Sequence, residues 1–285
     1  MSRSYLFWNS QSGKRSRDGL EALKAKLNDD ELDAVDVIGF AGYREYLSGI
    51  QSDDRIYLIG GDGTLNRFAN ETDGMNLTND IYYYPAGTGN DFLKDLGKTA
   101  DDCPIRINQY LENLPIVEVN GKKYRFLNGI GYGIDGYCCE VGDRMKAEDR
   151  ENINYTSIAI KGLLFHYHPT SCTITVDGKK YEYKKVWLCP TMNGRYYGGG
   201  MMAAPGQDRL NKDGTLSAML FYGKGRLSTL MAFPSIFKGE HVNHHDMVAI
   251  HTGKDITVEF DSPTSLQIDG ETILGVTKYR AYSVR

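Results

Sequence analysis

Along the first third of the chain, short apolar runs alternate with stretches whose apolar residues recur at helical spacing. Tyr5-Leu6-Phe7-Trp8 reads as a strand and is followed by the polar turn Asn9-Ser10-Gln11-Ser12-Gly13. Leu20, Leu23 and Leu27 then mark one face of a helix. Ala34 to Phe40 predicts a second strand, Tyr43 to Ile50 a short helix, and Ile56 to Ile59 a third strand. That strand ends in Gly60-Gly61-Asp62-Gly63-Thr64, and a helix is expected from Leu65. Ile81-Tyr82-Tyr83-Tyr84 repeats the order: strand, then Pro85-Ala86-Gly87-Thr88-Gly89-Asn90-Asp91-Phe92, then a helix through Leu96. Such alternation predicts a mostly parallel sheet covered on both faces, with ligands bound beyond the carboxyl ends of its strands.

The pattern changes near residue 115. Ile116 to Phe126 reads as a hairpin around Asn120-Gly121, and Cys172 to Tyr183 as another around Asp177-Gly178. Thr257-Val258-Glu259-Phe260 and Leu266-Gln267-Ile268 add strands, with a turn at Asp269-Gly270. Repeated hairpins predict an antiparallel, sandwich-like second domain. Helices are expected over Asn152 to Phe165 and over Leu227 to Phe237, the latter interrupted by Pro234. The fold class is therefore α/β plus all-β, in two domains that meet near residue 115, with no internal repeat.

Composition narrows the partners. The chain has 285 residues, 41% hydrophobic and 25% charged, as ordinary globular proteins do. A net charge of -4 leaves no global basic field for nucleic acid. The lysine pairs at 122–123, 179–180 and 184–185 sit in or beside hairpins and read as solvated turn residues. Five scattered cysteines without a C-x-x-C fit a reducing cytoplasm better than a disulfide framework. The first strand begins almost at once, leaving no room for a signal peptide, and no apolar run reaches the ~20 residues of a membrane span. Membrane contact is thus expected to be peripheral. His166, His168, His244 and His245 read as ordinary surface or core residues. Leu227, Leu230, Met231, Phe233, Ile236 and Phe237 read as core, with a membrane-resting face as the other option.

The two glycine turns carry the candidate chemistry. Each follows a strand and opens a helix, where backbone N–H groups converge and the helix terminus favours negative charge. Each also brings a hydroxyl, Thr64 or Thr88, and a carboxylate, Asp62 or Asp91. A carboxylate beside polyphosphate is repulsive unless a divalent cation bridges the two or the carboxylate is protonated. Neither turn is a Walker A loop, and neither fits the G-x-G-x-x-G fingerprint.

Gly60-Gly61-Asp62-Gly63-Thr64-Leu65-Asn66, followed by Pro85-Ala86-Gly87-Thr88-Gly89-Asn90-Asp91-Phe92, resembles the diacylglycerol kinase catalytic-domain superfamily. The resemblance is to its soluble bacterial lipid kinases, relatives of sphingosine and ceramide kinases. It extends to the loop Asn9 to Gly13, which has Ser10 where the family usually has Pro, and to Asn128 to Asp135. Asn193 to Met201, Ala204-Pro205, Asp213-Gly214 and Ile268-Asp269-Gly270-Glu271 continue it. The family's upstream threonine contact to ATP has no counterpart around Val37-Ile38-Gly39.

The resemblance implies an ATP-binding α/β domain, 1–115 with the last strand 276–285 returning to it, and a β-sandwich lipid-substrate domain, 116–275. The active site would lie in the cleft between them. Asn9, Ser12, Gly13, Gly61, Asp62, Gly63, Thr64, Leu65, Asn66 and Thr88 would bind ATP. Asp62 would also help hold the catalytic Mg2+, and Glu271 would be the general base. Asn90, Asp91 and Asp135 would line the substrate cleft. Asp213 would ligate a structural magnesium with the backbone carbonyls of Leu210 and Thr215. By local logic alone, Glu271 and Asp213 are turn residues.

The expected function is ATP-dependent phosphorylation of a lipid hydroxyl, with diacylglycerol the favoured acceptor. The protein would be cytoplasmic and peripherally bound to membrane when active, and the edge strands of its second domain would permit a homodimer. The alternatives are an NAD kinase-like phosphotransferase, which shares Gly-Gly-Asp-Gly-Thr, and a non-catalytic nucleotide-binding peripheral membrane protein.

Overall fold

Strands β1 (Ser4–Trp8), β2 (Leu32–Asp36), β3 (Arg55–Gly60) and β4 (Asp80–Pro85) run parallel in the order β2-β1-β3-β4, and β5 (Ile105–Arg106) closes the edge antiparallel to β4. The computed structural model describes residues 2–12, 14–27, 31–87, 90–148 and 155–285, and divides the chain into two compact units, 1–112 and 113–285. In the first unit, helices α1 (Lys14–Leu27), α2 (Tyr43–Leu47), α3 (Asp62–Glu71), α4 (Asp91–Asp95) and α5 (Asn108–Leu111) accompany the sheet. β1 and β3 are buried along nearly their whole length, which is why they read as continuous apolar runs. Leu20 and Leu23 of α1 are buried as their spacing predicts, while Leu27 is half-buried. Phe7, Tyr43 and Phe68 join β1, α2 and α3 in one aromatic cluster, with centroids 5.2 and 5.0 Å apart in succession.

The second unit is built on a ten-stranded antiparallel sheet. Its strands are β6 (Ile116–Val119), β7 (Lys122–Arg125), β8 (Gly129–Tyr132), β9 (Thr170–Val176), β10 (Lys179–Val186), β11 (Thr191–Met192), β12 (Leu216–Phe221), β13 (Val248–Gly253), β14 (Asp255–Ile268) and β15 (Glu271–Tyr282). β14 is one long strand where the sequence suggests two. Ile256–Phe260 pair with β9, and Leu266–Ile268 pair with β8. The ladder between β14 and β15 shifts register between Glu259 and Leu266, so one strand serves both halves of the sheet. Side chains from both halves fill one core, where Tyr132 stacks on Phe260 at 4.0 Å. The three hairpin turns have positive φ at both central residues: Asn120-Gly121, Asp177-Gly178 and Asp269-Gly270. This is the primed-turn geometry that Asn-Gly and Asp-Gly select.

The last strand sits elsewhere than the resemblance implies. Tyr279–Tyr282 of β15 pair with β6, and residues 113–285 form one compact unit, so 276–285 belong with the sandwich by hydrogen bonding. Helix α6 (Ile134–Ala147) has no counterpart in the sequence reading, because two glycines and a cysteine pair hide its period. The helix expected over 152–165 is described from residue 155 as α7 (Tyr155–Lys161), continuing as a π-helical turn, Gly162–His166. α8 (Arg226–Ala232) gives way at Pro234 to a 3-10 turn, Phe233–Lys238, as proline requires. All five cysteines are free thiols, four of them buried.

Gly136 shows how α6 is seated. A Cβ there would stand 1.8 Å from the backbone oxygen of Ser265 in β14. Gly136→Ala must push the helix off the strand. Its expected cost is about 2–3 kcal/mol, read as a lower urea midpoint. A midpoint within error of wild type would contradict this packing.

His241 sets a pH dependence. The residue is fully buried, and its Nε2 lies 3.1 Å from the carbonyl of Ala203. A carbonyl only accepts, so Nε2 carries the proton. Burial holds the imidazole below its ordinary value, outweighing the opposing Ala203 hydrogen bond, with His244 lowering it further. As pH falls below about 6.5, the unfolded chain binds a proton that the folded one refuses, and stability drops. His241→Phe should flatten that part of the stability-versus-pH curve between pH 5 and 7.

Candidate functional site

β1, β3 and β4 are adjacent and parallel, so the loops that follow them emerge at one edge of the sheet. The first glycine turn is the opening of a helix: α3 starts at Asp62, with Gly61 extended as its N-cap, three residues ahead of the expected Leu65. Leu65 itself is fully buried, so only its backbone can meet a ligand. Thr64 packs against Gly60, where a Cβ would come within 2.1 Å of its Oγ1. Asn66 is buried, and its carbonyl and side-chain oxygens accept from Asn70 Nδ2 at 3.0 and 3.1 Å.

The two turns are stitched together. Asp62 Oδ2 accepts the N–H of Asp91 at 2.9 Å, and Oδ1 accepts that of Phe92 at 3.1 Å. One carboxylate thus opens α3 and satisfies the first N–H groups of α4. The Gly60 carbonyl accepts from Ala86 N at 2.8 Å and Gly87 N at 3.2 Å. The buried Tyr83 hydroxyl lies 3.0 Å from that carbonyl and 2.9 Å from Asn90 Oδ1. Burial, with the Asp62 charge adding to it, holds the Tyr83 phenol far above its ordinary value, so it remains a neutral donor. Asp91 is buried at the start of α4. Thr88, with Gly89 beside it, and Gly13 lie outside the described residues.

The loop after β1 is ordered by two side chains. Asn9 Oδ1 accepts from Gln11 N at 2.8 Å, and the Asn9 N–H donates to Ser16 Oγ at 3.3 Å. Asp36 Oδ1 accepts from Ser10 N and Ile38 N at 3.2 and 3.1 Å. Although desolvation opposes them, these bonds and the Ser10 side chain hold the Asp36 carboxyl below its ordinary value. Ser12 is exposed.

In the second unit, Glu271 stands exposed where β15 begins, and its neighbours are pinned. The Asp269 carboxylate accepts the N–H groups of Leu127, Asn128 and Gly129 at 2.5, 2.8 and 3.0 Å. Gly270 N donates to Gln267 Oε1 at 2.6 Å, and Gln267 Nε2 donates to the buried Asp135 Oδ2 at 2.8 Å. Thr272 Oγ1 donates to Asp143 Oδ2 at 2.7 Å. Buried Arg209 adds bonds to Leu127 O and Asn128 Oδ1. Asp135 and the turn that precedes Glu271, remote in sequence, are therefore joined through Gln267.

The loop expected to ligate a structural magnesium does not fit one. Thr215 O accepts from both Gln207 Nε2 at 2.8 Å and Asn211 Nδ2 at 3.0 Å, which uses its two lone pairs. Asn211 Oδ1 closes the turn on Thr215 N at 2.8 Å, and the Arg285 guanidinium donates to Asn211 O at 3.2 Å. Asp213 is an exposed turn residue, and Leu210 is exposed as well. Among the described residues there is no group of three or more His, Cys, Asp or Glu suited to a metal ion. A catalytic magnesium is a different case. Asp62 is a hard oxygen anion beside the turns, the ligand type that magnesium uses together with substrate phosphates.

Tyr83, Asp36, Asp269, Gln267 and Arg209 escape the sequence reading. Only Asp269 had a local signal, its place in an Asp-Gly turn.

Comparison with known proteins assigns the class. Residues 3–116 match the diacylglycerol kinase catalytic domain, and residues 128–281 match the YegS C-terminal NAD kinase beta sandwich-like domain. A diacylglycerol kinase of Mycobacterium tuberculosis is 26% identical over 261 residues, covering 87% of this chain and 81% of that protein. A crystal structure from Bacillus anthracis str. Sterne superposes with TM-score 0.69 at 20% identity, covering 100% of this chain and 94% of the other. Yeast NADH kinase shares the fold at TM-score 0.50 and 10% identity, over 100% of this chain and 79% of its own. The fold is thus of the NAD kinase and diacylglycerol kinase type. The chain belongs to the lipid kinase family in which a diacylglycerol kinase catalytic domain precedes a YegS-type C-terminal domain. No helix among the described residues is long and apolar enough to cross a membrane.

Proposed function

We propose that the protein transfers the γ-phosphoryl group of ATP to the hydroxyl of a membrane lipid, diacylglycerol being the favoured acceptor and phosphatidic acid the product. The observation that carries this reading is the Asp62 carboxylate bonded to the N-terminus of α4, which joins the two glycine turns at one edge of the parallel sheet. The first N–H groups of α3, from Gly61 to Gly63, with the hydroxyls of Thr64 and Ser12, would bind the phosphates. Magnesium, held by Asp62 and the phosphates, would supply charge neutralisation. Glu271 would take the proton of the lipid hydroxyl as its oxygen attacks phosphorus. Asp269, Gln267 and Asp135 hold the segment that carries Glu271, so the base is presented by a rigid strand end. The reading requires Glu271 and the glycine turns to act on one pair of substrates.

The test is ADP release from ATP and magnesium with mixed micelles of diacylglycerol, monoacylglycerol, sphingosine, ceramide or phosphatidylglycerol, and with soluble NAD. Turnover is expected with diacylglycerol and should vanish when EDTA removes the magnesium. Phosphorylation of NAD alone would replace the lipid reading by the NAD kinase one. ATP binding without turnover on any acceptor would favour a non-catalytic protein.

A further inference from the structure

Helix α6 lies along the β14–β15 hairpin as a splint. Three of its carboxylates reach that hairpin. Asp135 Oδ2 accepts from Gln267 Nε2 at 2.8 Å, Glu140 Oε2 accepts from the Ser265 hydroxyl, and Asp143 Oδ2 accepts from Thr272 Oγ1 at 2.7 Å. Two of these ties flank Glu271. Thr272 follows it directly, and Gln267 Oε1 holds the N–H of Gly270, just before it, at 2.6 Å. The Ser265 tie lies further back on β14.

Gln267 is the member that faces both ways. It is buried, and so is Asp135. In the ladder Gln267 stands opposite Gly131 of β8. A Cβ on Gly131 would come within 1.6 Å of Asp135 Oδ2 and 2.6 Å of Gln267 Nε2, so the amide and the carboxylate fill the space that this glycine leaves. The amide has one orientation. A backbone N–H only donates, so Oε1 faces Gly270, and Nε2 then faces a carboxylate that only accepts. A carboxyl group in its place would supply the acceptor, but once ionised it would lack the donor. One planar group thus connects the first turn of α6 to the residue before Glu271.

We infer that Gln267 is a positioning residue for phosphoryl transfer, coupling the Asp135 carboxylate to the placement of Glu271. An acceptor hydroxyl that engages Asp135 fixes the amide, and the amide fixes the turn that presents the base. This role deepens the lipid-kinase reading and rests on it. It assigns to one side chain what a rigid strand end leaves spread over the hairpin, and it makes acceptor contact and base alignment a single event.

The test compares wild type, Gln267→Leu, Gln267→Glu and Ser265→Ala as full chains, by urea midpoint and by ADP release with diacylglycerol micelles from about pH 5.5 to 8.5. Gln267→Leu loses both bonds. Its turnover per folded molecule should fall roughly ten- to a hundredfold, the scale for removing a group that orients a reacting one, while the KM for ATP holds. Ser265→Ala cuts a tie between the same helix and the same hairpin away from Glu271. It should lower the urea midpoint and keep wild-type turnover. Gln267→Glu sets two carboxyl groups at hydrogen-bond distance, where they share one proton and release it above the ordinary carboxylate range. While that proton is held, the new group donates to Asp135 and accepts from Gly270 as the amide does. The titratable neighbours of Asp135 are Tyr197, Cys138 and Cys139, all raised by burial and neutral across this range. Divided by wild type, the turnover of Gln267→Glu should be nearly restored at the acid end. As pH rises it should fall, by up to about tenfold per unit, to the level of Gln267→Leu.

Turnover of Gln267→Leu within threefold of wild type overturns the inference. A Gln267→Glu ratio that ignores pH also overturns it. So does Ser265→Ala as slow as Gln267→Leu, because any loosening of the hairpin would then suffice. Should Gln267→Leu fail to fold, Gln267→Glu at the acid end carries the comparison. A wild type that phosphorylates no lipid removes the kinase reading, and this role with it. A urea midpoint of Gln267→Glu that falls as pH rises would then still report the chain from Asp135 to Gly270.

Discussion

Asp62→Asn should lower turnover by roughly a thousandfold, the scale of removing a preorganised charge or donor from a phosphoryl-transfer site. The substitution is nearly isosteric but changes two things. It removes the negative charge that would hold magnesium against the phosphates. It also leaves one oxygen where the structure uses two, since Asp91 and Phe92 each donate an N–H to a separate carboxylate oxygen. The new amide group would point its own hydrogens at one of those donors, and the start of α4 would move away from α3. A stability loss of roughly 1.5–3 kcal/mol should accompany the kinetic one. The two roles separate in the data. If Asp62 is only a staple, the variant melts early, yet its activity per folded molecule at low temperature stays within tenfold of wild type. If it also serves the chemistry, turnover stays low however fully the protein is folded.

Glu271→Ala should behave in the opposite way, leaving stability untouched and reducing turnover by about 10²–10⁴, the range for loss of a positioned general base. The side chain is exposed and nothing in the core leans on it. The KM for ATP should hold, because the glycine turns are unaltered. Turnover within threefold of wild type would show that another group takes the proton, or none is needed. Asp269→Asn offers a companion measurement. It disturbs three backbone hydrogen bonds that set the strand end before Glu271, so turnover and stability should fall together.

What could be read from the sequence divides along the range of the interactions. The strand–turn–helix units of the first unit are visible because apolar runs, glycines and helical periods are written within a dozen residues. The three primed hairpin turns are visible for the same reason: Asn-Gly and Asp-Gly tolerate positive φ at both positions. Paired glycine turns at one sheet edge follow from strand order. The stitching of those turns does not, because Asp62 reaches Asp91 and Phe92 only after β3 and β4 are aligned. Gln267 between Asp135 and Gly270 is equally silent, as its two partners lie on opposite sides of the second unit's sequence. α6 is missed because Gly136, which lets it sit close to β14, and Gly142, which meets Tyr155 of α7, lower the local helical signal. In the loop where the resemblance expects a structural magnesium, Asn211 Nδ2 donates to the Thr215 carbonyl, a contact that the resemblance does not register.

The pairing of β6 with β15 has a consequence for how the molecule is made. A chain emerging from the ribosome completes the parallel sheet by Arg106 and can bury it at once. β6, at Ile116–Val119, must then wait for Tyr279–Tyr282, which follow only after β7 to β14 have been made. Until they arrive, the β6–β7 hairpin presents a bare backbone edge to every other nascent chain nearby. Translation thus leaves a finished nucleotide half tethered to an open sheet, and it is on that waiting edge that a chaperone would be most needed.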